Sequence, residues 1–139
     1  MANVLVVDDH PATCELIADV LSDAGFRAAA AYCAEEAHLL VQHERFDAAL
    51  VDLVMPVESG AALARRLLAT GVPVLLMTAH PEAAETLPAG SLTCLLKPFS
   101  VPELVTALRN AIRGPLADAL VALVAGAPAM IGAAVDLLV

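Results

Sequence analysis

Short, wholly apolar runs alternate along the chain with stretches whose apolar residues recur every three to four positions. Val4 to Val7 is the first such run, and it stops at Asp8-Asp9. A short run with no polar position suits a strand buried on both faces, as in a parallel sheet. From Pro11 to about Ala24 the period changes. Cys14, Ile17, Leu21 and Ala24 fall on one helical face, Pro11 suits a first turn, and Gly25 suits a stop. The unit then recurs. Arg27 to Tyr32 reads as a second strand, although its four alanines are weak strand formers, and Ala34 to about Glu44 as a helix carrying Ala37, Leu40 and Val41. Asp47 to Asp52 is a third strand and again ends in an acid. A loop with Pro56 leads to a helix from Gly60 to about Ala69. Val72 to Met77 is a fourth strand ending at Thr78, followed by a short helix within Pro81 to Pro88. Ser91 to Leu96 is a fifth strand ending at Lys97-Pro98. Val101 to Arg113 is a fifth helix, with Leu104, Val105, Leu108 and Ile112 inward.

Five strands alternating with five helices predict right-handed crossovers and an α/β fold, a five-stranded parallel sheet with helices on both faces. Asp8, Asp9, Asp52, Thr78 and Lys97 all stand at the carboxyl ends of strands. In an open parallel sheet those ends face one side, and ligand sites form there, where the strand order reverses.

Composition agrees and narrows the field. Of 139 residues, 60% are hydrophobic and 17% charged, which excludes a disordered chain. A net charge of −9 argues against direct contact with nucleic acid, since phosphates need Lys and Arg. Lys97 is the single lysine. The three cysteines, Cys14, Cys33 and Cys94, show no CxxC spacing and read as reduced, mostly buried thiols. With no basic n-region at the N-terminus, a cytoplasmic location is expected.

Three carboxylates, a hydroxyl and an ammonium in one crevice have a restricted chemistry. Close carboxylates repel unless a cation intervenes, and Mg²⁺ favours a few carboxylates plus waters and a phosphate. A lysine and a hydroxyl opposite the ion would hold the remaining phosphoryl oxygens, and a central aspartate can attack phosphorus. The residues thus point to a Mg²⁺-dependent phosphoryl acceptor with Asp52 as nucleophile.

Four pieces carry a family resemblance: Val6-Val7-Asp8-Asp9; Val51-Asp52-Leu53-Val54-Met55-Pro56 with Gly60; Met77-Thr78-Ala79; and Lys97-Pro98-Phe99. In this order and spacing, over residues 3–113, the chain resembles the receiver domain of two-component response regulators. The resemblance implies a flavodoxin-like, doubly wound (βα)5 fold and phosphotransfer to Asp52 from a sensor histidine kinase or phosphotransfer protein. It implies Mg²⁺ held by Asp9, Asp52 and the backbone carbonyl of Val54, with Asp8 acting through water. Lys97 would pair with the phosphoryl group, with Thr78-Ala79 at the phosphate and Thr78 moving towards it. The bond before Pro98 would be cis. No turnover of an external substrate is expected. Two positions depart from the family. Cys94 stands three residues before the lysine, where receivers carry the Tyr or Phe coupled to the Thr. Val54 is apolar at a place where polar side chains often tune phosphate lifetime.

Each piece also has a plainer reading. Asp8-Asp9 alone would pass for a helix cap, Thr78 for a satisfied strand-end hydroxyl, and Cys94 is read as a small core residue rather than a redox sensor. His10, His38, His43 and His80 read as surface residues, with His10 and His80 near the mouth of the site. The pattern divides the chain into residues 1–114 and an apolar helical tail, 115–139. Between Asp118 and Asp136 the tail has no charge, and Gly126, Pro128 and Gly132 interrupt it. Two short helices hinged near Ala127-Pro128, packed in a homodimer or on a partner, are expected ahead of a membrane contact or a disordered end. The fourth and fifth helices offer an alternative pairing face. The expected function is a stand-alone phosphorylation-controlled signalling protein that acts by protein contact. The alternative is a permanently associated, receiver-shaped interaction module.

Overall fold

A computed structural model describes residues 1–87 and 92–124. The strands are β1 (Asn3–Val7), β2 (Arg27–Ala31), β3 (Ala48–Asp52), β4 (Val74–Thr78) and β5 (Thr93–Leu96). The helices are α1 (Pro11–Asp23), α2 (Ala34–His43), α3 (Gly60–Ala69), α4 (Pro81–Ala84) and α5 (Val101–Val124). All strands pair in parallel, in the order β2-β1-β3-β4-β5. This is the expected doubly wound fold.

Alternation along the central strands builds two cores at once. On one face Leu5, Val7, Ala49, Val51, Val74 and Leu76 pack with Ala37, Leu63 and Leu67 of α2 and α3. On the other, Val4, Val6, Leu50, Leu75 and Met77 pack with Cys14, Ile17 and Leu21 of α1 and Leu104 and Leu108 of α5. Both faces are covered, which is why these strands carry no polar residue until their ends.

The elements differ from the expectations mostly at their ends. Strand β4 starts at Val74, two residues later than expected, because Val72 N–H closes the α3 terminus onto Leu67. The fourth helix is one turn long. The fifth runs on past Arg113 to Val124, with a break at Gly114, whose φ of 76° leaves the helical region. The break expected at Gly114-Pro115 is therefore a kink, with helix on both sides. The hinge expected near Ala127-Pro128 lies outside the described residues. Among the described residues no helix is long and apolar enough to cross a membrane.

Candidate functional site

Strand order reverses between β1 and β3, since β1 connects outward to β2 while β3 continues through β4 to β5. The crevice at that point is opened by Asp8 and Asp9, just past β1, and by Asp52, the last residue of β3. Lys97, one residue past β5, reaches it from the far side. Its Nζ lies 3.0 Å from Asp8 Oδ2 and 3.2 Å from Asp52 Oδ2. The Asp8 side chain is fully buried and that of Asp52 is 9% exposed. One ammonium thus bridges two buried carboxylates and compensates their charge. A cavity of about 430 Å³ opens above them, lined by Asp9, Asp52, Val54, Ala79 and Lys97, with His10 and His80 at its sides.

The loops fix these groups through the backbone. Asp8 N–H donates to Ala31 O, and Asp8 Oδ1 accepts from His10 N–H at 2.9 Å. Asp52 Oδ1 accepts from Val54 N–H at 3.1 Å. Lys97 N–H donates to Thr78 O at 2.8 Å. Burial pushes the Asp8 carboxyl up, but the His10 N–H and Lys97 outweigh it and hold Asp8 below the ordinary carboxylate range. For Asp52 the balance reverses. Burial, with the charge of Asp8, outweighs Val54 N–H and Lys97 and leaves its carboxyl raised. Burial alone would lower Lys97, yet its two carboxylate partners raise it.

Thr78 is buried, and its Oγ1 accepts from His80 N–H at 3.0 Å. The Lys97-Pro98 bond is cis. Cys94 is half-buried and packs against the α2–α3 side of the core rather than within it. Burial and the Asp52 charge push its thiol up, and burial pushes Cys14 up to about 11. Cys33 is exposed. Iodoacetamide at pH 8 should therefore modify Cys33 at least about tenfold faster than Cys94 or Cys14. Equal rates at Cys33 and Cys94, by peptide mapping, would contradict this picture.

Two contributors have roles that sequence reasoning did not give them, the first being Gly60, quoted there only as a motif residue and a helix start. Gly60 N–H donates to Leu53 O, and a Cβ on Gly60 would lie 2.0 Å from Asp52 O and 2.6 Å from Leu53 Cα. The first turn of α3 thus rests directly on the backbone that presents Asp52. In an ordinary helix Gly→Ala stabilises by up to about 1 kcal/mol. Here Gly60→Ala should cost about 2–3 kcal/mol in urea unfolding, because backbone must move. A stabilised variant would show that α3 docks loosely. The second is His10, read as a surface residue at the mouth. Its ring is indeed exposed, but its Nδ1 lies 3.2 Å from Asp8 Oδ1 and 3.4 Å from Asp9 Oδ1.

The donor set fits a hard divalent cation. Asp9 Oδ1 is buried yet hydrogen-bonds to none of the described residues, and Asp8, Asp9 and Asp52 each place an oxygen within 4.8 Å of the others. An oxygen set of this kind, with room for waters above it, is what Mg²⁺ requires.

The family model of the response regulator receiver domain matches residues 4–109. The chain belongs to the response regulator receiver family. This receiver is 34% identical over 117 residues to the phosphate regulon transcriptional regulatory protein PhoB of Pseudomonas aeruginosa, covering 79% of this chain and 51% of PhoB. It is 34% identical over 114 residues to the DNA-binding response regulator MtrA of Mycolicibacterium smegmatis, covering 79% and 50%. The receiver spans about half the length of these relatives. Among solved structures it resembles response regulator TrrA of Thermotoga maritima, determined in complex with Mg²⁺-BeF. The TM-score is 0.73 and the identity 26%, over 80% of this chain and 99% of that one.

Proposed function

We propose that this receiver is a phosphorylation-controlled signalling domain whose Asp52 accepts a phosphoryl group from a phosphohistidine on a sensor histidine kinase or phosphotransfer protein. The observation that carries the reading is the Lys97 ammonium bridging Asp8 and Asp52 at the mouth of a cavity. An Asp52 oxygen attacks phosphorus while the P–N bond to the donor imidazole breaks and its electron pair leaves with the nitrogen. An aspartyl phosphate results. Mg²⁺, held by Asp8, Asp9, Asp52 and the Val54 carbonyl, would supply positive charge to the phosphoryl oxygens. Lys97 exchanges a carboxylate partner for one of those oxygens and so needs no new charge brought to the site. Thr78 and the Ala79 backbone border the phosphoryl position.

The TrrA complex, with Mg²⁺ and beryllofluoride, supports the ion and the phosphate together. Output by protein–protein contact, with a homodimer as one form, is the part of this reading that fits a charge of −9, which suits neither nucleic acid nor an anionic membrane. Turnover of an external substrate is no part of the reading. Intact mass after incubation with acetyl phosphate and Mg²⁺ should show one added phosphoryl group, absent when a chelator is present. No uptake under either condition would overturn the proposal.

Cys94 favours a second reading, a constitutive interaction module. A half-buried thiol supplies no ring to follow Thr78. Phosphoryl uptake with no change in association state on beryllofluoride would favour it.

A further inference from the structure

The magnesium reading uses oxygen atoms alone, and it leaves the imidazole of His10 unexplained. Its Nδ1 stands between the two acids, 3.2 Å from Asp8 Oδ1 and 3.4 Å from Asp9 Oδ1. One ligand atom from each of Asp8, Asp9, His10 and Asp52 lies within 4.8 Å of all the others. Ligands about 2.1 Å from a tetrahedral ion stand about 3.4 Å from one another, the spacing His10 Nδ1 already keeps from Asp8 and Asp9, while the widest pairs of the set must close by about 1 Å. The backbone beside the ring is also held in place. His10 N–H donates to Asp8 Oδ1, and as the N-cap of α1 the residue has extended backbone and makes no side-chain cap bond. The imidazole therefore meets the two acids rather than capping the helix.

We propose that His10 is a metal ligand of the acid pocket, one that strengthens Zn²⁺ selectively. Imidazole suits zinc, whereas Mg²⁺ takes oxygen ligands and keeps its waters. His10 therefore leaves Mg²⁺ affinity to the carboxylates and adds a bond for Zn²⁺ alone. Zinc held in this way occupies Asp9 and Asp52, so it competes with Mg²⁺ for the pocket. The inference rests on the acid pocket proposed above.

The test uses the full chain, as wild type, His10→Asn and Asp9→Asn, titrated separately with Zn²⁺ and with Mg²⁺ by calorimetry. Asparagine is a good N-cap, so the first variant keeps its helix start. His10→Asn should lose at least about tenfold in Zn²⁺ affinity and less than about twofold in Mg²⁺ affinity. Asp9→Asn should weaken both ions. In wild type, Zn²⁺ should shift the ¹⁵N resonance of His10 Nδ1, and Mg²⁺ should not. The proposal is overturned if His10→Asn weakens both ions equally, if it weakens neither, or if His10 Nδ1 ignores Zn²⁺. Zinc binding through His10 without any Mg²⁺ binding would sustain this inference and remove the magnesium site. Binding of neither ion would remove both.

Discussion

Asp52→Asn should take up no phosphoryl group from acetyl phosphate, a loss of at least about a hundredfold. In metal-free buffer it should also melt no lower than wild type. The two effects share one cause. Burial, reinforced by the charge of Asp8, raises the Asp52 carboxyl, so the ionised nucleophile costs folding energy that an amide does not. Asparagine retains an oxygen for Val54 N–H or Lys97, and Lys97 keeps Asp8. The sign with pH follows. A carboxyl raised in the folded state stabilises below its unfolded value, and that stabilisation is lost as pH rises through the folded value. The advantage of the variant should therefore grow from about pH 4 towards neutrality. Differential scanning across that range, beside intact mass, reads both effects. A variant labelled as strongly as wild type would remove Asp52 from its role, and one that melts much lower would show that its charge stabilises the fold.

Lys97→Met should cost about 3 kcal/mol in the absence of divalent ions, near the lower end for breaking a buried ion pair, since the lysine is 22% exposed. Methionine keeps the apolar stem, so the loss reports the ammonium. Without it, Asp8 and Asp52 face each other uncompensated, and both carboxyls move up. Their protonation then relieves the strain, so the deficit should shrink as pH falls and widen as it rises. Mg²⁺ at 100 times its dissociation constant should return about 2.7 kcal/mol, because the ion binds only the native pocket. Urea titrations at three pH values, with and without Mg²⁺, measure all three quantities. A deficit under about 1 kcal/mol that does not change with pH would mean that Lys97 is not the counter-charge.

The cores and the site differ in how far they can be read from sequence. Runs such as Val4–Val7 and Val74–Met77 are unambiguous because both sheet faces are covered, leaving no polar position to confuse the period. The convergence of Asp8, Asp52 and Lys97 follows from parallel topology, which sends every strand end to one edge. What sequence withholds is set by contacts without a period. The close approach of Gly60 to Asp52 O depends on how α3 docks, and a glycine at a helix start has several ordinary uses. The place of His10 depends on Asp8 folding back onto the next peptide but one, a local turn that leaves no mark in hydropathy. The direction of the Thr78 hydroxyl, towards His80 N–H, is likewise a matter of rotamer.

The pairing of Lys97 also bears on how the molecule meets amine-directed reagents. The chain has one lysine, so its primary amines are that side chain and the N-terminus. Two carboxylates raise the Lys97 ammonium, and a protonated amine is no nucleophile. Acylating reagents therefore meet Met1, which is open to solvent, well before Lys97. Anything that parts Lys97 from both carboxylates without supplying another anion lets its ammonium fall back towards the ordinary lysine value and speeds its acylation, and a single added acyl group on one tryptic peptide records the event. The ion pair that balances the pocket thus makes the lone lysine a chemical reporter of whether that pocket is intact.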